Sequence, residues 1–209
     1  WGAGTVFRIT TSGVYSVVTH IVFNGMSQEP YAALTLGSDA ALYGSIYAGG
    51  ANGYGYVFRV TTTSVFSVVH DFTSSEGRPY APLSQESGAL YGSTVGDSLG
   101  YGTLFKLTTT GGYTTLHGFT GSDGWSPSSS ALVSGGDGAL YGSTGAGGAL
   151  GEGALFKITT SGAFTLLHSF DADLDGSEVK ALAVGDAGIL YGAAGTGDWA
   201  SQRFWGSVF

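Results

Sequence analysis

The sequence predicts an all-β protein, a β-propeller of about four four-stranded blades. The first observation is a pattern of residues that occurs four times along the 209-residue chain. The second is its period: the Tyr-Gly pairs at Tyr43, Tyr91, Tyr141 and Tyr191 lie 48 to 50 residues apart, within the range of propeller repeats. The third is that each copy holds four short stretches of aromatic and β-branched residues, separated by turn residues and without a helical period.

The four stretches of each copy are labelled A to D, in the order in which a propeller blade uses them. The A-type strands are predicted at 31–36, 80–84, 129–133 and 179–184. The B-type strands are predicted at 41–46, 89–94, 139–144 and 189–194. The C-type strands are predicted at 5–10, 56–61, 103–108 and 154–159, with a partial copy at 206–209. The D-type strands are predicted at 15–19, 66–70, 113–117 and 164–168.

Tight hairpin turns are expected between the C-type and D-type strands. Their sequences are Thr-Thr-Ser-Gly, Thr-Thr-Thr-Ser, Thr-Thr-Thr-Gly-Gly and Thr-Thr-Ser-Gly. Glycine usually provides the left-handed conformation that such turns require. The A–B turns have a similar composition, so we expect both sets to be short and uniform.

The order of the strands indicates how the propeller would close. The chain begins with strands C and D and ends with A, B and part of C, which predicts a single domain over 1–209. Its repeats lie at about 4–53, 54–100, 101–151 and 152–204, with a partial strand at 205–209. Three blades are complete, and a fourth would close the ring by pairing N-terminal with C-terminal strands. One C-type strand is then surplus: either it is displaced, or the chain is a slice of a longer array.

The repeated pattern resembles a known family. It reads G-x-L-F-K-[IL]-T, then L-H-x-F, D-G and A-L-Y-G-S-T, and it is clearest in repeats two to four, for example from Gly102 to Thr144. It is similar to the GloVer tandem repeat of bacterial choice-of-anchor surface proteins, and more distantly to a kelch-type blade. The resemblance implies an exported bacterial protein, extracellular or on the cell surface, with a propeller-like array. It brings no enzymatic residues with it.

Composition argues against several classes of partner. The formal net charge is −8. Four of the seven basic residues occupy one repeat position: Arg8, Arg59, Lys106 and Lys157. This periodicity predicts that they are structural residues on strand faces and do not form a basic patch. Nucleic acid and an anionic membrane surface are therefore unsuitable partners. No apolar run is long enough to span a bilayer. The chain has no cysteine, which excludes disulfides and cysteine metal sites.

A residue that recurs in every repeat is best explained by the blade itself. Histidines occur near the D-type strands at His20, His70, His117 and His168. Because each belongs to a different blade, a structural role is favoured over a shared metal or catalytic site. The recurring tyrosines of the Tyr-Gly pairs are expected to pack between blades for the same reason.

The loops that differ between repeats are the better candidates for function. In a propeller the B–C and D–A connections emerge on one face, which we call the loop face; here they are 24–29, 47–55, 73–79, 95–102, 121–127, 145–153, 171–178 and 195–205. Carboxylates accept hydrogen bonds from sugar hydroxyls, and aromatic rings cover the apolar face of a pyranose. The predicted ligand-binding residues are Tyr47, Tyr54, Arg78, Asp97, Asp123, Trp125, Glu152, Asp198, Trp199 and Arg203. The expected partner is a glycan or a surface protein.

One loop also predicts a cation site. Asp171, Asp173 and Asp175 alternate before a glycine, an arrangement that can converge on Ca²⁺. The EF-hand pattern would place glutamate at its twelfth position, where Leu182 stands, so Glu178 is the predicted substitute. The alternative is a solvated acidic turn.

Three functions stay open from the sequence. The first is an extracellular binding or adhesion module for glycan or protein. The second is a self-associating structural surface repeat, in which the edge of the surplus C-type strand pairs with a neighbouring chain. The third is a polysaccharide hydrolase or lyase, which would need two carboxylates across a cleft. The sequence shows no nucleophile motif, so an enzyme is the less favoured reading.

Overall fold

The computed structural model describes residues 4–23, 26–27, 30, 32–127, 131–174, 176–198 and 203–208. They form five antiparallel sheets in chain order. Sheet 1 contains β1 (Gly4–Ile9), β2 (Tyr15–Phe23) and β3 (Met26–Ser27). Sheet 2 contains β4 (Thr35–Leu36), β5 (Leu42–Ile46), β6 (Tyr56–Val60) and β7 (Phe66–Asp71). Sheet 3 contains β8 (Arg78–Pro79), β9 (Ser84–Glu86), β10 (Ala89–Val95), β11 (Thr103–Thr108) and β12 (Tyr113–Gly118). Sheet 4 contains β13 (Val133–Ser134), β14 (Ala139–Thr144), β15 (Ala154–Thr159) and β16 (Phe164–Ser169). Sheet 5 contains β17 (Ser177–Val184), β18 (Leu190–Asp198) and β19 (Arg203–Val208), with a one-turn 3₁₀ helix at Asp186–Gly188.

The three middle sheets follow the predicted order A-B-C-D. In sheets 2 and 4 the hydrogen-bonded order is β4-β5-β6-β7 and β13-β14-β15-β16. The A-type strands are shorter there than predicted, with two residues in β4 and β13. In sheet 3 the A-type segment is divided into β8 and β9, and Pro82 lies between them. Sheet 2 has a similar break, between Pro30, which forms an isolated bridge with Ile46, and β4.

A threonine closes each C–D turn. Thr10, Thr61, Thr108 and Thr159 each accept, through the side-chain oxygen, the backbone N–H four residues later at 2.8–3.0 Å. The residue with positive φ in these turns is glycine in three cases and Ser64, at φ 67°, in the fourth. The repeated Thr-Thr sequence thus closes these turns, and the prediction of tight, uniform turns is confirmed for the C–D turns.

Each C–D hairpin contains a β-bulge at the same place. The register shifts between Val6 and Phe7 in sheet 1, and at the equivalent pairs in sheets 2, 3 and 4. In sheet 1 this register pairs Val6 with Thr19, whereas the equivalent residue in sheet 2, Val57, pairs with His70. His20 is therefore one residue out of step with the other three histidines, because it lies five residues after Tyr15 and the others lie four after the equivalent aromatic residue.

The hydrophobic core is divided into clusters that lie between consecutive sheets. One cluster contains Tyr43 and Phe72 of sheet 2 together with Phe105 and Leu107 of sheet 3. Equivalent clusters join sheets 3 and 4, sheets 1 and 2, and sheets 4 and 5. Sheets 2, 3 and 4 therefore each pack one face on the preceding sheet and the other on the next, as blades do.

The predicted closed four-bladed ring is not confirmed. Among the described strands, β1 pairs only with β2, and the C-type position beside β18 is filled by β19. The surplus strand therefore occupies the position that the N-terminal strand would need for closure. None of the four hydrophobic clusters of the described residues joins sheet 1 to sheet 5. In the described part of the chain, no helix is long and apolar enough to cross a membrane.

Candidate functional site

The variable loops of consecutive blades contact one another on the loop face. The Arg78 guanidinium donates to the carbonyl oxygen of Gly53 at 3.0 Å, which links a D–A loop to the B–C loop of the preceding blade. At the next junction Ser126 N–H donates to the carbonyl oxygen of Tyr101, also at 3.0 Å. These contacts bring the loops of neighbouring blades together at two successive junctions.

Arg78 lies between two tyrosines at the junction of sheets 2 and 3. Its guanidinium carbon is 5.3 Å from the ring centre of Tyr47 and 4.8 Å from that of Tyr54, within the range of cation–π attraction. Tyr80, which was not among the predicted residues, meets Tyr47 edge-on at 5.7 Å. Three predicted binding residues therefore lie together in one cation–aromatic group.

An aromatic pair lies at the next junction, between sheets 3 and 4. The rings of Tyr101 and Trp125 are perpendicular, with centres 6.5 Å apart. Trp125 is 50% exposed and Tyr101 37%. The Trp125 backbone is fixed on both sides, because its N–H donates to Ala146 O at 2.7 Å and its carbonyl accepts from Ala146 N–H at 3.1 Å. The exposed indole is thus held on a rigid backbone.

Tyr101 was missed in the prediction, although a signal for it exists. It directly precedes Gly102, as Tyr54 precedes Gly55, so the two tyrosines occupy one repeat position. Arg78 and Trp125 likewise each follow an acid-glycine pair. Aligning loops by their flanking glycines would have paired Tyr101 with Trp125.

The acidic residues of this face mainly stabilise their own loops. Asp123 accepts from Thr120 N–H at 2.8 Å, and its other oxygen is 2.9 Å from His117 Nε2. Burial raises the pKa of Asp123, but the hydrogen bonds from Thr120 and the interaction with His117 together lower it by more. The pKa of Asp123 therefore lies below its ordinary value. Asp97 accepts from Gly102 N–H at 3.0 Å. These two carboxylates are less available to a ligand than their loop positions predicted.

The remaining predicted residues are farther along the chain. Glu152 is half-buried in the B–C loop at 145–153, where it forms an isolated bridge with Gly147. The backbones of Asp198 and Arg203 face each other in the pairing of β18 with β19, but their side chains lie outside the described residues. Trp199 also lies outside them.

The predicted calcium loop is described only in part. Asp171 accepts the N–H of Asp173 at 3.0 Å, which closes a local turn. Asp175 and the side chain of Glu178 lie outside the described residues, and within the described ones no cluster of three or more possible ligands is found. Calcium binding stays a prediction, which calorimetric titration with Ca²⁺ would test. A titration that shows neither heat of binding nor a rise in Tm would contradict the prediction.

Two of the repeated histidines, His70 and His117, lie between blades, whereas His20 and His168 are exposed. The imidazole of His117 stacks on Phe164 of the next blade, with ring centres 3.8 Å apart, and His70 stacks on Tyr113 at 4.4 Å. Each also lies near an acid of its own loop, Asp123 for His117 and Glu76 for His70, at 2.9 and 3.2 Å. This is the structural role that the sequence predicted.

Two of the repeated basic residues pair with an acid at the other end of the sheets. Arg59 contacts Asp39 at 2.7 Å, and Lys157 contacts Asp137 at 2.7 Å. The hydrogen bond from Lys157 lowers the pKa of Asp137 to about 2. A cleft of about 240 Å³ opens beside Asp137, between sheets 4 and 5. Because Lys157 already neutralises this acid, we do not assign the cleft as the binding site.

Carbon-detected NMR titration of Asp137 should show a midpoint near pH 2. Since the folded pKa lies below the ordinary value, the stabilisation from this pair is present above that ordinary value and is lost as pH falls towards 2. Lys157→Met should raise the midpoint towards the ordinary value. Lys106→Met, at the same repeat position in another blade, should leave it unchanged. A midpoint that Lys157→Met does not move would contradict this assignment.

The sheets and their packing define an all-β, propeller-like repeat protein. The sequence model of the Gloeobacter/Verrucomicrobia repeat matches residues 1–206, so the chain belongs to this family. This confirms the resemblance to the GloVer repeat. No curated protein matches the sequence.

Similar solved structures show the same kind of fold. A streptogramin B lyase aligns with a TM-score of 0.64 at 14% identity, over 98% of this chain and 62% of the lyase. A gluconolactonase from Xanthomonas campestris aligns with a TM-score of 0.55 at 13% identity, over 99% of this chain and 69% of the lactonase. The chain thus spans less than two thirds of the length of the lyase. At these identities the similarity concerns the fold alone.

Proposed function

We propose that the protein is an extracellular carbohydrate-binding module that holds a sugar ring against the Tyr101–Trp125 pair. The observation that carries the proposal is the half-exposed Trp125 indole beside Tyr101, on a backbone that pairs with Ala146 through two hydrogen bonds. An aromatic side chain has only two rotatable side-chain bonds and so loses little conformational entropy when it binds, and its face covers the apolar C–H face of a pyranose. Membership of the Gloeobacter/Verrucomicrobia repeat family fits a surface repeat module.

The preceding junction supports a binding surface with more than one subsite. Tyr54 and Arg78 stand at the repeat positions of Tyr101 and Trp125, and Tyr47 and Tyr80 extend that group. Two successive junctions therefore carry aromatic side chains on the loop face. At the junction of sheets 4 and 5 the same positions hold Glu152 and Ser177. A polysaccharide that crosses the first two junctions would contact both aromatic groups.

The hydrogen bonds of three loop-face acids favour binding over catalysis. A hydrolase needs two carboxylates placed on either side of the bond that is cleaved. Asp97, Asp123 and Glu76 instead accept hydrogen bonds from residues of their own loops, at 2.8–3.0 Å. The names of the similar structures, a lyase and a lactonase, do not transfer at their low identity.

A glycan array with neutral and acidic oligosaccharides tests the proposal. We expect binding that Trp125→Ala weakens by about tenfold, since an aromatic contact contributes up to about 1.5 kcal/mol beyond the apolar area that it buries, and about 1.4 kcal/mol is a factor of ten in affinity. Tyr101→Ala should weaken it less, because this ring is less exposed. Val65→Ala removes an exposed apolar side chain from a C–D turn and serves as the control. Absence of binding to any glycan, or binding that survives both aromatic substitutions, would overturn the proposal; capture of proteins alone would favour the protein-binding alternative.

A further inference from the structure

The two outermost sheets each present one apolar face that no described sheet covers. On sheet 1, Phe7 is 55% exposed and Tyr15 is 57% exposed, and Ile9 beside them is exposed as well. Their counterparts in the middle sheets include Phe58, Phe105 and Phe156, which are all fully buried. Phe7 is therefore exposed because no described blade lies against it, since the residue type and its place in the strand are the same.

Sheet 5 shows the same contrast on its outward face. Ile189 is 51% exposed and Tyr191 is 52% exposed. The equivalent Tyr43 and Tyr91 are fully buried, and the alanine equivalents of Ile189 are buried. Exposed positions favour polar residues, yet sheet 5 has isoleucine and tyrosine at these two positions.

These two faces are the opposite halves of one interface. Between sheets 2 and 3, Ala41 and Tyr43 of the earlier sheet share a cluster with Phe105 and Leu107 of the later sheet. By repeat position, sheet 5 carries the half that contains the tyrosine, through Ile189 and Tyr191. Sheet 1 carries the half that contains the phenylalanine, through Phe7 and Ile9.

The half on sheet 1 already has the geometry of a buried interface. The ring centres of Phe7 and Tyr15 are 5.5 Å apart. The equivalent pairs are 5.6 Å apart for Phe105 and Tyr113, and 5.5 Å apart for Phe156 and Phe164. The aromatic pair is thus arranged as in the covered blades, and little rearrangement is needed to bury it.

We propose that a second copy of this chain packs its sheet 1 against sheet 5 of the first, head to tail. The contact continues the blade-to-blade packing that each molecule contains three times between sheets 2 and 5. It is independent of the loop-face site, because it uses sheet faces and not the B–C and D–A loops. Such a heterologous contact leaves one face free at each end, so assembly grows with concentration.

Sedimentation velocity over a range of concentrations tests the proposal with the chain itself. We expect a mass that rises above the 21.2 kDa of the monomer. Phe7→Asp removes the half on sheet 1, and Tyr191→Asp removes the half on sheet 5. Each variant alone should remain a monomer, because every contact needs both halves. Their equimolar mixture should form a complex of two chains and no larger species, since only one intact pair of faces remains.

Matched controls separate this head-to-tail contact from non-specific association and from contact between identical faces. Leu174→Asp changes an 82%-exposed leucine on neither face and should assemble as the wild type does. Ile9→Asp and Ile189→Asp form a second pair, used if circular dichroism shows that either aromatic variant is unfolded. A wild type that stays monomeric at all concentrations would overturn the proposal. So would a single variant that still dimerises, because that would indicate contact between identical faces.

Discussion

Phe105→Ala should lower the free energy of unfolding by about 3–5 kcal/mol, the usual cost of removing a buried phenylalanine side chain. Phe105 is fully buried and lies in the cluster between sheets 2 and 3, where its ring centre is 5.3 Å from that of Phe72 and 5.6 Å from that of Tyr113. These neighbours belong to different sheets, so the cavity would weaken the contact between two blades. In a chain of this size the loss corresponds to a Tm lower by roughly 10 °C.

Phe7→Ala is the matched control, since Phe7 occupies the same repeat position on sheet 1. Because Phe7 is 55% exposed, its loss should cost less than about 1 kcal/mol in a dilute sample of monomer. Urea unfolding of both variants measures the difference. Equal effects at the two positions would contradict the arrangement of the sheets as stacked blades.

Gly92→Ala should be destabilising by about 1–3 kcal/mol, although it adds a single methyl group. A Cβ at Gly92 would lie 2.5 Å from Cζ of Phe105 and 2.9 Å from Cδ2 of Leu83. The ring cannot yield easily, because Phe72 and Tyr113 hold it from the other sides. Gly44 and Gly142 approach Phe58 and Phe156 as closely, which explains why glycine follows tyrosine in these three repeats.

Gly118→Ala is the control for that substitution. Gly118 lies in β12 without a positive φ, and a Cβ there would meet no atom within 4 Å. Its replacement should therefore be neutral or stabilising by up to about 1 kcal/mol. The same urea unfolding experiment compares the two variants. If Gly92→Ala were as stable as Gly118→Ala, the packing of Phe105 against the Tyr-Gly element would be wrong.

The blade itself could be predicted from the sequence because its determinants are local. The strands at 103–108, 139–144 and 154–159 have the predicted bounds, since alternating residue types and closing turns fix them. Ring closure could not be predicted in the same way. A repeat period specifies how one blade meets the next, but it does not specify whether the last blade meets the first.

The candidate site was predictable at the level of loops and only partly at the level of residues. Trp125 was found because it lies in a variable loop, and the structure leaves half of its surface exposed. The role of Asp123 could not be found, because whether a carboxylate accepts from its own loop depends on backbone geometry. The same limit applies to Arg78, whose position between Tyr47 and Tyr54 joins two loops that are distant in sequence.

Proton–nitrogen NMR of the labelled protein, titrated with the strongest glycan found on the array, tests the central claim most directly. That claim is that the repeated residues build the blades and the variable loops bind the ligand. We expect chemical shift changes at the indole N–H of Trp125, at Tyr101 and at the neighbouring B–C and D–A loops, with the C–D turns unaffected. Changes concentrated at the C–D turns or beside Asp137, with Trp125 unchanged, would contradict it.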